Sequence, residues 1–144
     1  MAMYKNSEGY ADPTAGIALG QVMSDYKRQQ RELWKRHHEM KNRRKVYVVS
    51  KYAGEVEKNV TDTIRYCRHV IDQGKMPVAS RLLYSIMLED SSPKERELGT
   101  IFGLALLAMC DEVWVFGKEH SKGMVEEIKE AKKLHKPIRY LEVI

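Results

Sequence analysis

Two runs, KVYVVS (45–50) and DEVWVFG (111–117), constrain the fold more than any other feature of the chain. Short runs dominated by valine and aromatic residues are read as buried strands. Strands buried on both faces belong to parallel sheets covered by helices, so the segments between them should be helical crossovers. Residues 57–73 place Val60, Ile64, Cys67 and Ile71 at helical spacing and close at Gly74. MPVAS (76–80) is a second short strand, and RLLYSIML (81–88) is a helical turn or short helix. Ser92-Pro93-Lys94-Glu95 has the form of a capping box with proline at the first helical position, opening a helix to about Cys110. A helix from near Ser121 to about His135 follows the strand at 111–117, and PIRYLEV (137–143) is a fourth strand. The order predicts an α/β domain at 44–144, a small doubly wound parallel sheet of flavodoxin- or Rossmann-like type.

A basic helical arm, residues 1–43, precedes it. The opening MAMYKNSEGYAD is polar, and Asp12-Pro13 is an N-cap with proline at the first position. The predicted helix continues to about Met40. Its apolar positions Ala15, Leu19, Val22, Tyr26, Leu33, His37 and Met40 form a heptad-like stripe interrupted at Gln29. Such a stripe cannot be buried by one helix alone. It predicts packing on the domain or on another chain, hence a homo-oligomer, dimer or higher, with the arm contributing. Ten of the 25 Lys/Arg and five of the 20 Asp/Glu lie in residues 1–45, so this segment holds the whole net +5. The basic run DYKRQQRELWKRHHEMKNRRK also admits contact with nucleic acid. Its cations alternate with acids and glutamines, however, which favours a solvated face on an oligomerising arm.

The longest apolar run, IFGLALLAMC (101–110), is too short to cross a bilayer, and the N-terminus lacks a signal-peptide pattern. Cys67 and Cys110 sit in apolar helical contexts and read as reduced core residues of a cytoplasmic protein. No Cys/His cluster has metal-ligand spacing, so neither a metal nor a cofactor is predicted.

In sheets of this type ligands bind beyond the carboxyl ends of the strands, where strand order reverses. Here that means the loops at 50–55, 79–82 and 117–123. GKEHSKGM (117–124) joins a strand end to a helix N-terminus, where Ser121 as N-cap and Gly123 offer free backbone N–H groups to an anion. Counting from Met124 at about 100° per residue, Ile128, Ala131, Leu134 and His135 form the inward stripe, and Glu127 falls inside it. A buried carboxylate must be neutralised, hydrogen-bonded or put to use. The alternatives are that Glu127 turns out to water or pairs with Lys51. Trp114 alternates with Val113 and Val115 and is read as packing.

KVYVVSKYAG, CDEVWVFG and SKGMVEEIKEAKKLHKPI together resemble the nucleoside 2-deoxyribosyltransferase superfamily, nearest to its small uncharacterised branch common in bacteria and phages. The resemblance covers residues 45–143. Its most specific part is Ser-x-Gly-x-x-x-Glu-[Ile/Leu]-x-x-Ala followed by Lys-Pro. It implies that Glu127 is the nucleophile at a sugar's anomeric carbon and that Ser121 holds a 5′-phosphate. Together with the loop positions, this gives an expected ligand-contacting set of Ser50, Lys51, Tyr52, Gly54, Arg81, Arg96, Ser121, Gly123 and Met124, around a nucleoside phosphate or related nucleotide. Nucleotide-cleaving relatives carry an aspartate where this chain has Gly103, leaving Asp90, Glu95 or Glu97 to supply a second acid. A histidine common in the second loop is Arg81 here, which makes the pocket more cationic. The implied activity is cleavage or transfer at an N-glycosidic bond. The alternative is a phage-type protein that sequesters or senses a nucleotide-derived signal without turnover.

Overall fold

The computed structural model describes residues 13–52 and 54–142. The N-cap expected at Asp12 and the polar opening lie outside the described residues. Two compact units divide at Asn42/Arg43. The first contains one helix, α1 (Pro13–Lys41), none of whose residues is buried.

The second unit is the expected α/β domain. Its elements are β1 (Lys45–Val49), α2 (Val56–Asp72), β2 (Met76–Val78), α3 (Ser80–Met87), α4 (Pro93–Ala108), β3 (Glu112–Phe116), α5 (Lys122–Lys133) and β4 (Ile138–Leu141). The four strands are parallel in the order β2-β1-β3-β4. No described helix is long and apolar enough to cross a membrane.

Strand parity sorts the core into two layers. Tyr47, Val49, Val113 and Val115 face one side, where they pack on Leu107 and Cys110 near the end of α4 and on Met124, Ile128 and Ala131 of α5. Val46, Val48, Trp114 and Phe116 face the other, against Tyr66, Cys67 and Val70 of α2. Trp114 is packing, as its alternation predicts: it is fully buried and its indole N–H donates to Glu112 at 2.6 Å. The chain leaves β1 toward β2 on one side and returns to β3 on the other. The crevice outside Val49 and Phe116 is therefore the switch point.

Helix ends account for most departures from expectation. Gly74 closes α2 as predicted, at φ +78°, with the Lys75 N–H donating back to the Val70 carbonyl at 3.2 Å. The inward stripe of α5 ends earlier than its periodicity suggests. Leu134 is the C-cap, His135 takes φ +56°, and both side chains are exposed. That left-handed step lets the Lys136 N–H reach the Ala131 carbonyl at 2.9 Å and swings His135 off the core face. The capping box at Ser92 does not form, although Pro93 opens α4 and Ser92 is its N-cap. The Ser92 N–H is already donated to the Glu89 carbonyl, so the Glu95 carboxylate takes the Glu89 N–H instead.

Cys67 and Cys110 are free thiols, and burial pushes each up to about 11. The thiolate is the reactive form. At pH 8 the folded protein should therefore take up iodoacetamide at neither position within the time the unfolded chain takes up two. Intact-mass spectra with and without denaturant check this.

Candidate functional site

A cavity of about 300 Å³ opens at the switch point, over the first turn of α5. Four segments converge on it. The loop after β1 supplies Tyr52, and the start of α3 supplies Ser80 and Arg81. The first turns of α4 supply Arg96, Gly99 and Thr100, and the β3–α5 connection supplies Ser121 and Gly123. Ser121 caps α5 as its sequence position suggested, with extended backbone and its hydroxyl accepting the Met124 N–H at 3.4 Å. A bond that long leaves the hydroxyl free to turn toward a ligand.

Arg81 spans the cavity floor. A Cβ at Gly123 would lie 2.6 Å from its Nη2, so the absence of a side chain there lets the guanidinium cross the helix terminus. Nη2 stands 3.5 Å from Glu127 Oε1, and the guanidinium carbon lies 5.7 Å from the Tyr52 ring centre. The Arg81 Nε is buried with no hydrogen-bond partner among the described residues.

Glu127 sits beneath, 7% exposed, as its angle on α5 predicted. It borders a smaller cavity of about 20 Å³ with Tyr47, Ser80, Gly103 and Gly123, large enough for one water-sized group. Burial raises the carboxyl above its usual range, and the Tyr47 hydroxyl and the Arg81 charge only partly offset this. Tyr47 is pushed well above the usual phenol range by its own burial and by the neighbouring carboxylate, so it stays protonated. Its hydroxyl lies 2.7 Å from Ser80 Oγ. A phenol has one proton and a carboxylate only accepts. The Ser80 hydroxyl therefore donates to Tyr47, and Tyr47 donates to Glu127.

Tyr52, Arg81, Arg96, Ser121 and Gly123 are thus brought together above Glu127, while four other expected residues lie elsewhere. Ser50 has the parity of Val48 and points to the α2 side, where its hydroxyl meets Thr63 at 2.7 Å. Lys51 is exposed with its Nζ 4.0 Å from Glu119, and does not pair with Glu127. Lys51 and Gly54 line a different groove, with Lys58, Asp62, Tyr66 and Lys118. Met124 is fully buried in the core and contributes only its backbone N–H. Of the candidate second acids, Asp90 and Glu95 line the cavity and Glu97 does not.

Tyr47, Ser80, Tyr84 and Thr100 were missed. Tyr47 had a signal: it is the one hydroxyl on the inward parity of β1. Ser80 and Thr100 had none, since their positions depend on how α3 and α4 dock. Tyr47→Phe should cost about 1 kcal/mol in urea unfolding by leaving the Ser80 hydroxyl unpaired. Losing a donor to the charged form should also raise the Glu127 pKa further, visible by carboxyl NMR titration.

Residues 44–141 match the family described as a domain of unknown function (DUF7768). The chain belongs to that family. No curated protein matches it in sequence. Among solved structures, the domain resembles a 2-deoxyribosyltransferase from the psychrotolerant bacterium Bacillus psychrosaccharolyticus. The TM-score is 0.57 at 19% identity, over 69% of this chain and 76% of that one. At that identity the likeness is one of fold.

Proposed function

We propose that this member of the family cleaves, or transfers at, the N-glycosidic bond of a nucleoside phosphate, with Glu127 as the nucleophile. The observation that carries the reading is a buried carboxylate, Glu127, held 3.5 Å beneath the arginine that floors the cavity, on the helix whose N-terminus lines that cavity. Ser121, the first N–H groups of α5, Arg81 and Arg96 form the cationic wall for a phosphate. Tyr52 and Tyr84 offer flat apolar faces for a base. The resemblance at the Ser121-to-Ala131 motif and the shared fold with a 2-deoxyribosyltransferase support the same reading. We place the chain in the small bacterial and phage branch of that superfamily, acting in the cytoplasm.

In the proposed reaction a Glu127 oxygen attacks the anomeric carbon as the carbon–nitrogen bond breaks. The electron pair leaves with the base, which takes a proton from solvent or from an acid such as Asp90. The sugar is left as an ester of Glu127, and water or a second base then displaces the carboxylate. Tyr47 holds the attacking carboxylate in orientation. Arg81 has two roles in sequence: it neutralises Glu127 while the site is empty and turns to the phosphate when ligand enters.

A second reading is favoured by one observation. The position opposite Glu127 is bare Gly103, and Glu127 is engaged by Arg81. A site so arranged can hold a nucleotide-derived signal intact. Incubating the protein with a panel of nucleoside monophosphates, deoxynucleotides, NAD and cyclic ADP-ribose-type compounds separates the two, with mass spectrometry of free and bound fractions. Release of a free base supports the enzyme. Retention of one compound unchanged supports the binding protein and overturns the first reading.

A further inference from the structure

The helix α1 lies outside the family's matched region and has no buried residue. Leu19, Tyr26, Leu33 and Met40 recur every seven residues along it, and all four are exposed, Leu33 at 58%. A seven-residue repeat of large apolar side chains marks a seam that faces another helix. A depression on the same helix is lined by Gln29, Glu32, Leu33 and Arg36. Spacing of i, i+3, i+4 and i+7 is that of the hole into which a facing helix inserts a side chain.

The charges select the occupant and its direction. With Leu19 and its repeats at the a positions, Asp25, Glu32 and Glu39 all occupy g, and Met23, Gln30 and His37 occupy e. Antiparallel pairing sets g against g, which brings the acids of two copies together. It also sets the large apolar residues of one helix against Gln29 and Arg36 of the other. Parallel pairing sets g against e five residues on, so Glu32 meets the partner subunit's His37, and Asp25 meets the partner subunit's Gln30. Lys27, Arg28, Arg31 and Lys35 fall on the outer face and remain in solvent.

We infer that α1 pairs in register with α1 of a second copy as a parallel two-stranded coiled coil, with Leu33 of each seated in the partner's hole. The Gln29 side chains meet across the seam and fix the register. The Arg36 guanidiniums reach outward toward acids at g. These polar layers weaken the pair, so its assembly depends on concentration.

The test is light-scattering mass of the full chain over a concentration series. The chain should double its mass as concentration rises. Leu33→Glu should stay monomeric over the same range, with circular dichroism and thermal melting of the domain unchanged, because Leu33 is exposed. Leu19→Cys should form a disulfide-linked dimer under mild oxidation that the unaltered chain does not, since an in-register parallel pair brings the two positions together. The inference is overturned by a dimer that survives Leu33→Glu, which would place the interface on the domain. It is equally overturned by failure of the Leu19 cross-link, or by a monomeric chain whose arm instead retains duplex DNA in a salt-dependent way.

Discussion

Glu127→Gln should lower the rate of base release from whichever nucleotide the native chain cleaves by about 10³-fold or more, with retention of that nucleotide changed only a few-fold. The amide has the shape of the acid, and its oxygen can still accept from Tyr47 and Arg81, but it cannot form the ester on which the proposed reaction depends. The same substitution should act on stability with the opposite sign. Burial raises the folded-state pKa of Glu127, so folding favours its neutral form. That contribution is fully present below the unfolded-state value and is lost as pH rises through the folded value. Above it, the native chain must keep a charge in a buried place, whereas the amide carries none. Glu127→Gln should therefore be the more stable protein at pH 8, by on the order of 1 kcal/mol, with the difference closing as pH falls. Denaturant unfolding at pH 8 and pH 4 measures it. A variant less stable at pH 8 would mean that the Arg81 contact outweighs burial.

Gly103→Asp places a carboxylate at the position where the sequence resemblance implies an aspartate, and it should unfold this domain easily. A Cβ at Gly103 already stands 3.2 Å from both Tyr47 Oη and Ser80 Oγ. The carboxylate beyond it would have to enter the cavity of about 20 Å³ that Glu127 borders. Overpacking and a second buried acid together should cost about 3–5 kcal/mol, lowering Tm by at least roughly 10 °C in a domain of this size. Gly103→Ala separates the two contributions, since it adds the crowding without the charge. If Gly103→Asp keeps its Tm and speeds base release, then Tyr47 and Ser80 do not occupy the space of the missing acid, and the site has been misread.

The position of Glu127 was legible because helical period is a local property: three residues from Met124 on a helix opened by Ser121 places it on the inner side whatever packs there. Misplacement of His135 has an equally local cause, a left-handed helix end that periodicity cannot anticipate in a residue other than glycine or asparagine. Ser50 was legible in principle. Parity with Val48 sends it to the α2 face, and only its place at a strand end suggested the site. Lys51 and Gly54 lie beyond the same strand end but in a groove beside α2, because a loop beyond a strand can turn to either face of the sheet.

The sequence by itself determined the elements, the parallel sheet, the two-faced core and the inward carboxylate. Each is written in periods of two or about 3.6 residues that repeat locally. Only the tertiary structure decided what Glu127 meets. Arg81 lies 46 residues away along the chain, and Tyr47 lies on β1, a strand far from α5 in sequence. Their convergence depends on where α3 and α4 settle against α5, and that position follows from many small contacts summed over the domain. No short stretch of sequence carries the mark of such a sum. The absence of a side chain at Gly103 and Gly123 becomes meaningful only when the hydroxyls and the guanidinium that take up that space are in place.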